Sequence, residues 1–83
     1  MIVSLQTISA GDNDWTDSGL VHLEQLPRTG EYVAHDVAWY RVVLVVLVAD
    51  PKDNGDKAEL YAVKVNAMDV KKQARLEADK ATA

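Results

Sequence analysis

Apolar and polar positions alternate most clearly between Leu20 and Leu26, where Val21 and Leu23 fall on one side and His22 and Glu24 on the other. A period of two over this length predicts a half-buried strand. Met1 to Ile8 mixes β-branched and apolar residues with Ser4, Gln6 and Thr7, and reads as a first strand. Between them, Ala10 to Gly19 holds two glycines, three aspartates and an asparagine, the composition of a polar loop. Pro27 to Gly30 predicts a turn, and Glu31 to Ala34 a short strand containing Tyr32 and Val33. Trp39 to Ala49 dominates the chain. Its density of Val and Leu favours a strand over a helix. Asp50 to Lys57 supplies Pro and Asn-Gly turn chemistry, and Ala58 to Val65 is the returning strand. Asp69 to Ala83, rich in Ala, Lys, Glu and Arg, is helix-prone.

The two long strands are expected to pair as an antiparallel hairpin. With Ala49 opposite Ala58, one face carries Val46 beside Tyr61 and Leu44 beside Val63, and Val46 is read as core. The other face carries Val43, Val45, Leu47 and Leu60, with Trp39 near its end. Both faces of the long strand are apolar, so both need cover. The tail offers little, because Val70 and Ala74 line up but Glu77 interrupts them and Leu76 lies elsewhere on the wheel. Either the sheet curls around the second face or another copy of the chain covers it.

These elements predict a mainly β domain over residues 1–68 and a helical tail over 69–83. The architecture is a small curled antiparallel sheet of about five strands. In strand rhythm, residues 20–66 resemble small SH3-like barrels, with short strands around a Pro-Gly turn followed by one long hairpin. That resemblance implies a small barrel and carries no function with it.

Composition narrows the chemistry. The chain has 83 residues and no Cys, which removes disulfides, thiolate metal ligands and Cys nucleophiles. A secreted domain of this size is usually stapled, so a cytoplasmic home is expected. Met1 to Ala10 lacks the basic start and apolar stretch of a signal peptide. The longest apolar run, Val42 to Ala49, is far short of the roughly 20 residues a membrane helix needs. The net charge is -4, unevenly spread. Residues 1–36 hold six acids against Arg28, whereas residues 69–83 hold Lys71, Lys72, Arg75 and Lys80 against three acids. Acids interrupt the only basic cluster, so neither nucleic acid nor membrane is an expected partner.

Few residues form a constellation with catalytic or ligating meaning. Asp12, Asp14 and Asp17 are weak candidates for a hard cation, and they fail the EF-hand spacing because Asp17 and Leu23 stand where Gly and Glu belong. His35-Asp36 with Ser4, Ser9 or Ser18 could compose a hydrolytic triad only in name, since neighbouring strand residues point to opposite faces. No catalytic residue, cofactor or metal is therefore expected. Leu26 to Gly30 spells the LPxTG sorting signal, but a downstream membrane span and a basic terminus are missing, so a turn into a strand is expected instead. Trp15 stands in a polar loop, where it either folds back over the sheet or meets a partner.

The functional expectation is a non-enzymatic protein-interaction module, a homodimer associating through Val43, Val45, Leu47, Leu60 and Trp39. A small-ligand or metal-binding accessory protein using Asp12–Asp17, and a small hydrolase around His35, are the alternatives.

Overall fold

The computed structural model describes residues 1–49 and 57–82. Five strands and one helix follow in the order β1 (Ile2–Ile8), β2 (Thr16–His22), β3 (Tyr32–His35), β4 (Ala38–Leu47), β5 (Ala58–Val65) and α1 (Ala67–Thr82). The strands form one sheet in the order β2-β1-β5-β4-β3, curled into a half-barrel. The fold is thus mainly β with a C-terminal helix, as the strand signals imply.

The sheet is mixed where an antiparallel one was expected, because β1 and β5 run parallel. The reason is topological. The β1–β2 hairpin and the β3–β4–β5 meander are each antiparallel. Joining them through their first and last strands brings together two segments separated by most of the chain, the long crossover that parallel pairing requires. Local pattern carries no trace of such a contact.

Alternation along β1 fixes the inside of the curl. Val3, Leu5 and Thr7 are buried and pair with Ala58, Leu60 and Ala62 of β5. Val21, Val33 and Val42 complete the core, and Leu23, Leu26, Tyr40 and Val45 pack against it. The Thr7 hydroxyl, the one buried polar side chain among the described residues, is satisfied by Ser18 Oγ at 2.8 Å.

Two bulges aid the curl by adding local twist. In the first, Ser4 pairs with Leu20 and Gln6 with Asp17, so β2 carries one extra residue. Gly19 sits there at φ 91°, and its N–H donates to Asp17 Oδ1 at 2.8 Å. Strand β2 consequently starts at Thr16, four residues before the expected Leu20, and ends at His22. Pairing with β1 recruits residues whose composition reads as loop. Leu23 still exchanges backbone bonds with Met1, its N–H donating to Met1 O at 2.9 Å and its carbonyl accepting from the Met1 amino group at 2.6 Å, and Glu24 to Leu26, expected in the strand, leave the sheet.

The second bulge lies in β4. Val42 pairs with Ala62 but Leu44 pairs with Tyr61, which leaves Val43 unmatched. At the far end Leu47 opposes Ala58, two residues from the expected register. A two-residue slip preserves faces, so Val45 and Leu47 share a side with Leu60 as expected. The bulge then reverses the remainder. Tyr40 and Val42 join that same side, while Trp39 and Arg41 fall with Leu44 and Val46 on the other. The side expected to need an external partner is the concave interior. Val46, read as core from sequence, is on the convex face and 37% exposed. Of the expected loop over Asp50–Lys57, residues 50–56 lie outside the described residues.

Hairpin β3–β4 closes through Asp36 and Val37, at φ 49° and 62°, with His35 and Ala38 as the flanking pair. Two consecutive positive φ values are those of a type I′ turn. Helix α1 begins two residues before the expected Asp69, because Asn66 caps it. Asn66 Oδ1 accepts from the N–H groups of Met68 at 2.9 Å and Asp69 at 3.3 Å. Ala67 and Val70 are half-buried, whereas residues 71–81 are exposed throughout. Lys71 Nζ lies 5.3 Å from the centre of the Trp39 ring. The described chain measures 50 × 29 × 19 Å.

Candidate interaction surface

The convex face of the sheet is assembled by register. Its outermost row sets Val46 beside Glu59 and Ser4, with Leu20 across from Ser4. The next sets Leu44 beside Tyr61, Gln6 and Asp17. Below these come Tyr32, Arg41, Val63 and Ile8, and then Trp39 with Val65, where α1 begins. Helix contact therefore protects one end of the face. The opposite end is open, with Leu44 49% exposed and Leu20 60% exposed.

Trp15 folds back over this face rather than pointing away. Its ring stands edge-on to Tyr61, with centroids 5.2 Å apart and planes at 84°. Such an edge-to-face pair is worth about 0.5–1.5 kcal/mol beyond burial. More than a third of Trp15 nevertheless remains exposed. The Tyr61 hydroxyl donates to Glu59 Oε1 at 2.9 Å. Accepting that bond, the carboxylate raises the Tyr61 pKa above its ordinary value, and burial and the negative charge of Glu59 act in the same direction. The open end of the convex face thus carries three aliphatic side chains (Leu20, Leu44 and Val46), an aromatic pair and the carboxylates of Glu59 and Asp17.

Of the residues singled out for an interface, Leu60 is fully buried and Val45 packs on the core. Leu47 is on the same side but exposed at the end of β4, Val43 is the bulged residue, and Trp39 is on the convex face. The structure does not gather these five into one surface. It gathers Leu44, Val46, Trp15 and Tyr61 instead. Trp15 was visible as an anomaly in a polar loop, but that Leu44 and Val46 stay outside follows only from the direction in which the sheet curls.

Asp12, Asp14 and Asp17 are employed locally. They accept from the backbone N–H groups of Ser9, Trp15 and Gly19 respectively, each at 2.8–2.9 Å. Among the described residues no group of three His, Cys, Asp or Glu side chains is placed to hold a metal ion together. His35 ends β3 and His22 ends β2, at opposite edges of the sheet. Ser18 bonds Thr7 and Ser4 accepts from Gln6, so neither serine is joined to a histidine. The Leu26–Gly30 segment is held down at both ends. Leu26 packs on the core, Glu31 N–H closes a turn onto Arg28 O at 3.1 Å, and Gly30 N–H donates to Val42 O at 2.7 Å. Gly30 occupies the positive-φ position of that turn, at 92°. A depression of about 620 Å³, open to solvent, runs along α1 between Met68 and Asp79. No helix among the described residues is long and apolar enough to cross a membrane. Comparison with protein-family models, curated proteins and solved structures finds no match to this chain.

Proposed function

We propose that this protein is a non-enzymatic interaction module that self-associates through the convex face of its sheet. The observation carrying this reading is the exposure of Leu44 and Val46 beside the Trp15–Tyr61 pair. These side chains stand on a β-prone segment with no charge between Arg41 and Ala49, the kind of sequence that aggregates when left uncovered. Arg41 flanks it, as gatekeeping charges flank strands that cannot be broken in the middle. A two-fold dimer covers the same patch on both copies at once. A chain without cysteine is suited to the cytoplasm, the compartment that accompanies this reading.

Light scattering at micromolar concentration tests the proposal. A mass of about twice 9.1 kDa is expected, and 9.1 kDa sinks it. Leu44→Lys should give a folded monomer, since Leu44 is half in solvent and its loss opens no cavity. A Leu44→Lys dimer with an unchanged melting curve would place the interface elsewhere.

A further inference from the structure

The two outer strands of the sheet are not alike. As an edge, β2 is blunted: a bulge interrupts its pairing, and the Gly19 N–H is taken by Asp17 Oδ1 at 2.8 Å. Strand β3 carries no such device. It is regular from Tyr32 to His35 and holds no Pro, Lys or Gly.

The outward groups of β3 follow from its pairing with β4. Val42 N–H donates to Glu31 O at 2.8 Å, and the same register sets Val33 against Tyr40 and His35 against Ala38. Hydrogen-bonded pairs alternate along an antiparallel ladder, so Glu31, Val33 and His35 bond inward. Tyr32 and Ala34 therefore turn their N–H and C=O groups out from the end of the sheet. Both residues are exposed, Tyr32 by 49%. Backbone groups presented in this way are matched by one kind of occupant, another extended chain.

Strand β3 is complementary to itself. When a second β3 is laid antiparallel with Val33 opposite Val33, Tyr32 and Ala34 exchange both main-chain bonds on each side of the two-fold axis. Each tyrosine then lies beside an alanine rather than another ring. Glu31 faces His35 of the second copy on both sides, a carboxylate opposite an imidazole N–H, and cross-strand pairs of this kind are stabilising. Asp36 falls opposite Gly30, within the turn that opens at Arg28. Neither adjacent register does the same. Ala34 opposite Ala34 carries the ladder onto Asp36, whose φ of 49° is left-handed. Tyr32 opposite Tyr32 requires the Gly30 N–H, which already donates to Val42 O at 2.7 Å.

We infer that β3 is a second self-association site, pairing antiparallel with β3 of another copy so that two sheets continue into one. The convex faces of both copies lie on the same side of the joined sheet and stay open. The contact thus goes beyond the convex-face association and does not compete with it. Only four residues pair, so it is the weaker contact and forms at millimolar rather than micromolar concentration.

Amide hydrogen exchange followed by NMR reads the edge directly. The Tyr32 and Ala34 amides should exchange at least about tenfold more slowly at millimolar than at micromolar concentration, while Val33 and His35 are protected at both. Equal exchange of Tyr32 and Ala34 at the two concentrations would overturn the inference. Leu44→Lys separates the two contacts and should leave the slowing intact. Loss of the slowing in that protein would assign it to the convex face and overturn edge pairing, whereas its persistence supports the edge whether or not the convex face associates. Ala34→Pro deletes an outward donor without removing a bond to β4, and should abolish the slowing at Tyr32. His35→Glu sets carboxylate against carboxylate and should reduce the slowing severalfold, a test that stands even if the proline variant does not fold. Undiminished slowing in either folded variant would overturn the inference.

Discussion

Val37 is the clearest place where this chain departs from the chemistry its local structure favours. It occupies the second position of the β3–β4 turn at φ 62°, and its side chain is fully exposed at 106% of the reference area. Left-handed backbone costs a residue bearing a Cβ about 1–2 kcal/mol, and β-branching makes valine a poor candidate. Replacing it by glycine removes that cost and forfeits no burial. Against the gain stands the freedom glycine recovers in the unfolded chain, about 0.5–1 kcal/mol. Val37→Gly should therefore stabilise the domain by about 0.5–1 kcal/mol. For a domain of this size each kcal/mol moves Tm by about 4–8 °C, so a rise of about 2–8 °C is expected. Thermal melts by circular dichroism measure it, at matched protein concentration because association also raises Tm. Val37→Ala, which keeps the positive φ, should gain less. A Val37→Gly protein melting at or below the wild-type temperature would refute the strain argument. An unaltered mass would show in addition that the hairpin tip is not part of the association surface.

Burial separates two further substitutions. Val42→Asp places an unpaired carboxylate at a position with no exposure and should abolish the cooperative melt, whereas Gln73→Ala on exposed α1 should move stability by less than about 0.5 kcal/mol. The Leu26–Gly30 segment is anchored through Leu26 and Gly30, so purified sortase should leave the native protein intact and cleave only after denaturation. Cleavage under native conditions would contradict the turn. Tyr61 should titrate above its ordinary value in an ultraviolet titration, and Glu59→Gln should lower it. The sign follows from the raised pKa: the stability linked to neutral Tyr61 is complete below the unfolded pKa and is lost as pH rises through the folded one. An unshifted titration in Glu59→Gln would show that the hydrogen bond is not the cause.

What could be read from residue order alone was whatever depends on near neighbours. The β-rich composition of β1, the return strand Ala58–Val65, the turn at Gly30 and the helix-prone tail follow from propensity and turn chemistry, although the start of the helix at Ala67 needed the Asn66 cap. The excess of apolar surface on β4 was legible too, since an uncharged run cannot be half polar. Which of its sides stays outside was not. An unbroken run of Val and Leu has no polar residue to mark a face, so the pairing of Val45 and Leu47 with the buried Leu60 and Ala58 of β5 decides. The start of β2 at Thr16 likewise depends on β1 supplying hydrogen bonds to residues of loop composition. Parallel pairing of β1 with β5 lies furthest from local pattern, because two strands more than fifty residues apart meet only when the whole sheet assembles. The interaction surface inherits that dependence. Leu44, Val46, Tyr61 and Trp15 come from three separate segments, and tertiary pairing alone places them side by side.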